Sequence, residues 1–247
     1  MSSSDQPQYC FTPVAVLRSV FKEKFAVPRQ SGLAPHATAT VELLPPFDQP
    51  DYIVGIDGCS HLWLQFVFHL HSDTTPRAKV RPPRLGGNKR VGVFATRAPV
   101  RPNPIGLSVV QLLSVERSSG GCKLHVAGVD LVDGTPILDI KPYVPYADSI
   151  STACNELAGQ PPATLEVVFN SAVNELLGQV EAGYRSLLLE ALAQDPRPQY
   201  TVPDPDRIFG ALIGEYNVRW RYQRVAEGLE ERWQIEVIEL EPAAGQH

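Results

Sequence analysis

The sequence predicts a mainly β protein, with an N-terminal β-barrel over residues 1–150 followed by a small α+β C-terminal domain over residues 164–247. Three features carry that reading. Short runs rich in Val, Leu, Ile and Phe recur between turn signals in the first part of the chain, and no helix-length repeat interrupts them. Beyond residue 164, part of the chain shifts to helical spacing.

In chain order, the strand-like runs are 11–20, 38–44, 61–70, 91–95, 107–115, 122–129 and 137–140. Proline supplies the corners. It fixes φ and lacks a donor, so Val80-Arg81-Pro82-Pro83 and Val100-Arg101-Pro102-Asn103-Pro104 are shaped loops rather than helix interior or central strand. Residues 149–163 are small and polar and read as a linker. The second unit opens with a strand at 164–169. One helix follows, in which Leu176, Leu177, Val180, Tyr184, Leu187, Leu188, Ala191 and Leu192 recur, and it ends at Asp195-Pro196-Arg197-Pro198. Strands at 208–213, 218–222 and 233–240 complete it.

At 247 residues and 43% apolar content, the chain can bury one good core and a second, smaller one. Its four cysteines, Cys10, Cys59, Cys122 and Cys154, lie far apart without a CxxC pair. That spacing argues against a zinc ribbon or a disulfide scaffold and fits a reduced, cytoplasmic setting. The start of the chain lacks a basic stretch followed by an apolar one, and the longest apolar run, 62–68, is too short to span a bilayer. The expectation is a soluble, unexported protein with no membrane partner.

Charge is distributed unevenly. Residues 74–115 carry eight basic side chains and no acidic one in a chain of net charge −5, so the remainder sums to −13. Arg77, Arg81, Arg84, Arg90, Arg97 and Arg101 stand in this run, and 16 of the 22 basic residues are arginine, the cation suited to bidentate contact with phosphate or carboxylate. A charge run is usually a solvated face. Here the proline and glycine framing favours a shaped anion site whose binding weakens as salt rises.

Asp130-Leu131-Val132-Asp133-Gly134-Thr135-Pro136, followed by Asp139-Ile140-Lys141, places three carboxylates within ten residues. Two readings stand: a tight turn in which Asp133 accepts backbone N–H bonds, or carboxylates that bind a small cofactor or act as a base. His69 and His71, two apart in a strand, share one face, but no third ligand appears at a telling spacing and no metal is expected. GxGxxG after a strand, GxxxxGK[ST], GxSxG and HExxH are all absent, so dinucleotide, NTPase, serine-hydrolase and zincin chemistries lose their usual signals.

Five blocks together resemble the bacterial TrmO family, also known as YaeB or TsaA: KEKFAVPRQ (22–30), SHLWLQFVFH (60–69), RPPRLGGNKRVGVFATRAPVRPNPIGLS (81–108), DLVDGTPILDIKPYVPYADS (130–149) and DPRPQY (195–200). The resemblance covers essentially the whole chain. It implies a tRNA methyltransferase that uses S-adenosyl-L-methionine to methylate N6 of threonylcarbamoyladenosine, beside the anticodon of threonine tRNA. It also implies that the barrel is the cofactor domain, that the C-terminal domain assists tRNA binding, and that the protein is a homodimer with its active site near the subunit boundary. Gln30, Gly32, His69, Arg97, Asn103, Leu107, Asp130, Leu131, Val132, Asp133 and Gly134 are thereby expected at the cofactor. Asp133, Asp139 and Lys141 are candidate catalytic groups. Arg84, Arg101, Arg197 and Tyr200 are candidate substrate contacts, an arginine for the threonyl carboxylate and the tyrosine for a splayed base. A non-catalytic RNA-binding barrel and an S-adenosylmethionine-sensing interaction protein are the alternatives.

Overall fold

The computed structural model of the chain describes residues 7–71, 75–82, 89–197, 201–227 and 230–243. Its first eight strands are β1 (Ala15–Ser19), β2 (Thr38–Leu43), β3 (His61–Val67), β4 (Lys79–Val80), β5 (Val91–Gly92), β6 (Ile105–Ser118), β7 (Gly121–Ala127) and β8 (Thr135–Pro142). Six of them close a barrel in the order β1-β2-β7-β6-β3-β8, and β4 pairs with β5 as a separate ribbon. Every barrel pair is antiparallel.

The two-residue alternation decides what the barrel holds. Ala15 and Leu17 of β1, Val41 of β2, Leu62 and Leu64 of β3, Val110 of β6, Leu124 and Val126 of β7 and Ile137 of β8 are almost wholly buried. Side chains fill a barrel of this size, so no ligand fits inside it. A binding site must lie on the rim or the outer face.

One interior position is set by a glycine. Gly106 pairs with Phe66 across β6 and β3, and a Cβ on Gly106 would come within 2.2 Å of a Phe66 ring carbon. Gly106→Ala should therefore cost about 1–3 kcal/mol through overpacking. Adding Phe66→Leu to that variant should restore part of the loss in a denaturation series; no recovery would place the strain elsewhere.

After the single helical turn α1 (Pro145–Asp148) come β9 (Glu166–Phe169), α2 (Ser171–Leu177), α3 (Ala182–Ala193), β10 (Ile208–Ile213), β11 (Tyr216–Glu227) and β12 (Glu230–Pro242). The last strands form a sheet in the order β10-β11-β12-β9, with β9 parallel to β12. The single expected helix is two. Asn170 caps α2 by accepting the Val173 N–H at 2.8 Å, and α2 ends at Gly178, whose N–H bonds to Asn174 and Glu175. Extended Glu181 then redirects the chain into α3. The apolar spacing runs on across this break because both helices turn apolar residues toward the same core, where Val173, Leu177, Leu187, Leu188 and Leu192 meet Trp220, Tyr222, Ile235 and Val237.

Barrel and C-terminal sheet share one contiguous core. The chain leaving β1 joins them: Phe21 bridges to Ile213, the Gly214 N–H donates to the Val20 carbonyl at 2.6 Å, and Phe25 stacks on Trp220 with ring centroids 5.6 Å apart. Residues 20–36 are thereby held against the second unit, with Gln194 Nε2 donating to the Leu33 carbonyl and Glu190 accepting from His36. Among the described residues, no helix is long and apolar enough to cross a membrane.

Candidate functional site

The connection from β7 to β8 carries Asp130 to the barrel rim. Its backbone is fastened at several points: Val129 N–H to Ala37, Asp133 N–H to Phe21, Gly134 N–H to Leu17, and Thr135 Oγ1 to Val132. Gly32 and Gly128, both at positive φ, approach closely enough for the Gly32 N–H to donate to the Gly128 carbonyl at 2.9 Å. Within this frame, the Ser108 hydroxyl donates to Asp130 Oδ1 at 2.6 Å. Burial pushes the Asp130 carboxyl up to about 6, against the opposing pull of Ser108, the Arg97 charge and the Ser31 N–H. A carboxylate desolvated to this degree, and in no salt bridge among the described residues, is suited to a cationic ligand.

Asp130, Leu131, Val132 and Thr135 form one wall of a pocket of about 280 Å³. Val27, Phe66, Val67, Phe68 and Leu70 give it apolar surface, and Lys24, His69, His71 and Pro99 complete it. The Lys24 ammonium is fixed by donation to the Leu70 carbonyl at 2.8 Å. Burial, with Lys24 and His69 adding to it, holds the His71 imidazole below its usual pKa. The pocket is therefore lined by apolar side chains together with ionisable groups of both signs.

The arginine-rich loop closes over the same place. Arg97 Nη1 donates to Gln30 Oε1 at 2.6 Å, and its charge reaches Asp130. Pro99 lines the pocket, and the Phe68 N–H bonds to the Pro104 carbonyl at 2.8 Å. Half-buried Arg101 donates one guanidinium N–H to the Thr96 carbonyl at 3.2 Å, which leaves further donors for a ligand. The cation-rich loop and the aspartate loop thus meet at one rim, together with Gln30, Gly32 and His69.

Other candidates stand elsewhere. Asp133 Oδ1 accepts the Ser19 N–H at 2.8 Å, and Oδ2 lies 3.3 Å from Lys22 Nζ, so its carboxylate fastens the turn. Asp133→Ala should then cost about 1–2 kcal/mol by orphaning the buried Ser19 N–H, while Asp133→Asn, which keeps an acceptor, should melt near the parent and bind cofactor as well. Asp139 and Lys141 form a 2.6 Å ion pair on the outer face of β8, opposite Gln65 and Trp63. Leu107 is 46% exposed on the outer face of β6, and Asn103 is exposed on the loop.

Arg197 is half-buried in a network of its own. It pairs with Asp195 at 2.9 Å, donates to the Thr201 carbonyl, and lies over the Tyr222 ring, whose hydroxyl donates to Asp195. Arg84 and Tyr200 lie outside the described residues. His69 and His71 do not share a strand face, because β3 ends at Val67 and His69–His71 form a single 3₁₀ turn. Sequence reasoning missed Ser108, Lys24 and Phe66. Ser108 had a readable signal: it is a polar residue at an inward position of β6, between Gly106 and Val110.

A larger depression of about 510 Å³ lies against the outer face of β1, β2 and β7, lined by Arg18, Thr40, His125 and Glu215 among others. Size does not make it the site. Arg18 is paired with Glu42 and His125 with Glu116, and among the described residues no buried carboxylate lines it.

Comparison with known proteins agrees over nearly the full length. The profile described as tRNA-methyltransferase O N-terminal domain matches residues 16–149, and that described as TrmO C-terminal domain matches residues 162–243. The Escherichia coli protein named tRNA (adenine(37)-N6)-methyltransferase is 44% identical over 237 residues, 94% of this chain and 97% of its own. A Pseudomonas aeruginosa protein whose name provisionally assigns it S-adenosylmethionine-dependent methyltransferase activity is 48% identical over 217 residues, 86% of this chain and 92% of its own. A crystal structure titled as TrmO from Pseudomonas aeruginosa superposes with a TM-score of 0.76 at 39% identity, covering 97% of this chain and 99% of that one.

Proposed function

This chain belongs to the TrmO family, and we propose that the Asp130 pocket and the loop above it carry out its reaction. The protein is an S-adenosylmethionine-dependent tRNA methyltransferase acting at N6 of adenine 37. The adenosine it takes is the threonylcarbamoylated one, in the anticodon loop of threonine tRNA.

One observation carries the placement: Asp130, desolvated and held by Ser108, lines a largely apolar pocket and lies within reach of the Arg97 charge. S-adenosylmethionine brings a sulfonium, an ammonium, a carboxylate and an adenosine, and its sulfonium supplies an electrophilic methyl group. The residues suit each part. Asp130 answers a cation, Arg97 a carboxylate, and Val27, Phe66 and Leu131 the apolar faces of the nucleoside. Gln30 orients Arg97, and Gly32 lets the chain pass close to Gly128.

The accepting nitrogen belongs to a urea-like group with a delocalised lone pair. Alignment of that nitrogen against the methyl must therefore supply much of the acceleration. Arg101 reads the threonyl carboxylate and sets the alignment. Asp133, Asp139 and Lys141 are each held in a pair, and none lines the pocket, so no side chain here is assigned as a dedicated base. The proton on the nitrogen becomes acidic once the methyl is attached and passes to water.

The protein works in the cytoplasm as a homodimer. Ile105, Leu107 and Leu113, 39%, 46% and 52% exposed, lie along β6 as an apolar stripe suited to a second copy, which would bring Leu107 to the subunit boundary. The C-terminal domain assists tRNA binding, although Arg219, Arg221, Arg224 and Arg232 of its sheet are each paired with a glutamate, Glu239, Glu236, Glu231 and Glu166. Incubation with labelled S-adenosylmethionine and threonine tRNA, with and without the threonylcarbamoyl group, tests the reading. Label should enter only the modified tRNA. Cofactor binding without transfer would make the protein a sensor, and RNA binding without cofactor binding would make it a passive RNA-binding barrel.

A further inference from the structure

Phe94 stands out among the exposed aromatics. It is 77% exposed, in the middle of the stretch 74–115 that contains no acidic residue. Tyr52 and Tyr146, the other exposed rings on short helical turns, have Asp51 and Asp148 on those same turns. Of the described basic residues of that same stretch, Lys79, Arg81, Lys89, Arg90 and Arg97 are all exposed.

The position is also rigid. Phe94 is the centre of the 3₁₀ turn Val93–Ala95, and Val93, 3% exposed, anchors that turn in the protein. The Val93 N–H donates to the Ala78 carbonyl at 3.0 Å, tying the turn to the chain entering β4, and the Thr96 N–H and hydroxyl both donate to the Val93 carbonyl. Rigid backbone therefore holds a bare benzyl group out of the surface, three residues before the arginine that faces Asp130. Among the described residues, no other ring or cation stacks on it.

A fixed apolar ring in a stretch rich in cations fits a partner that is polyanionic along its backbone and flat and aromatic at its bases. A protein partner of matching charge would bring carboxylates to the arginines but would leave the face of the ring unused. We propose that Phe94 is a stacking platform for an unpaired base of the anticodon loop next to the methylated adenosine. It fixes the register of the loop so that the target base enters the Asp130 pocket. The platform rests on the methyltransferase reading of that pocket and adds a residue and a contact to it.

The test measures binding of an anticodon stem-loop carrying threonylcarbamoyladenosine, using the full-length protein and four variants. Phe94→Ala should weaken RNA binding by about tenfold or more, the loss typical of one base–aromatic stack, with S-adenosylhomocysteine affinity and melting temperature unchanged. Phe94→Tyr and Phe94→Trp should bind like the parent, and Phe94→Leu should behave like Ala. Full affinity in Phe94→Leu would overturn stacking. A change of oligomeric state in Phe94→Ala would overturn RNA in favour of a second copy as the partner of this ring. If the parent methylates tRNA and Phe94→Ala does so equally well, the inference fails while the reading of the site stands. If the parent binds RNA through Phe94 but transfers no methyl, the reading of the site fails and only a base stack at Phe94 remains, without its role in register.

Discussion

Replacing Asp130 with Asn should weaken S-adenosylmethionine binding by about 10- to 100-fold at pH 7.5, the worth of one charge-assisted contact in a partly desolvated site. The amide keeps an acceptor for Ser108, whose hydroxyl bonds Asp130 at 2.6 Å, so shape is preserved and only charge is lost. The dependence on pH follows with opposite signs for ligand and fold. Burial raises the folded carboxyl to about 6, above the ordinary aspartate value of 3.8. Its contribution to stability is therefore fully present below about pH 4 and is lost as pH rises through about 6. Cofactor binding needs the ionised form and should strengthen over that same rise. Asp130→Asn should remove both trends, as read by calorimetric titration and by melting between pH 4.5 and 8. Comparing S-adenosylmethionine with S-adenosylhomocysteine then identifies the cation served: a loss confined to the former places Asp130 at the sulfonium, and equal losses place it at the ammonium. Equal binding by parent and variant at every pH would remove Asp130 from the cofactor.

Arg101→Ala should lower kcat/KM for threonylcarbamoylated tRNA by about 10²- to 10³-fold, equivalent to about 3–4 kcal/mol. Cofactor affinity should stay within about twofold. The loop that carries Arg101 is shaped by Pro99, Pro102 and Pro104, and one guanidinium N–H is already spent on the Thr96 carbonyl. The remaining fork can grip a carboxylate in two-point fashion, which lysine cannot copy, so Arg101→Lys should recover little. The preference for threonylcarbamoylated over unmodified tRNA should shrink in both variants. Parallel losses of cofactor binding and turnover would move Arg101 into the cofactor pocket.

The sequence reveals alternation more clearly than closure. Runs at 38–44, 61–70 and 122–129 return as β2, β3 and β7 because apolar residues at every second position mark a face that must be buried. Periodicity says nothing of which strand pairs with which, so the order β1-β2-β7-β6-β3-β8 is not readable from it. It also overruns at element ends: Phe68 to Leu70 continues an apolar run, but Phe68 bonds to Pro104 and the chain turns at His69. The helix break at Gly178 is hidden for the same reason, since two helices on one core keep a common apolar rhythm.

At the site, the charge pattern anticipates the meeting of the arginine loop with Asp130, and Arg97, Gln30 and Pro99 carry it. The roles of the two aspartates are not separable by spacing. Asp133 accepts a backbone N–H across the turn and Asp130 faces the pocket, and only the fold decides which carboxylate is spent. Arg197 is the converse case. A Pro-framed arginine reads as a ligand contact, yet Asp195, Thr201 and Tyr222 surround it.

A crystal structure of the protein with S-adenosylhomocysteine and a threonylcarbamoylated anticodon stem-loop decides whether the methyl moves at the Asp130 pocket. The amino-acid end of the ligand should lie at Asp130 and Arg97, with the modified adenosine beneath Arg101. Ligand bound instead in the depression on the outer face of β1, β2 and β7, with the Asp130 pocket left to solvent, would refute that location.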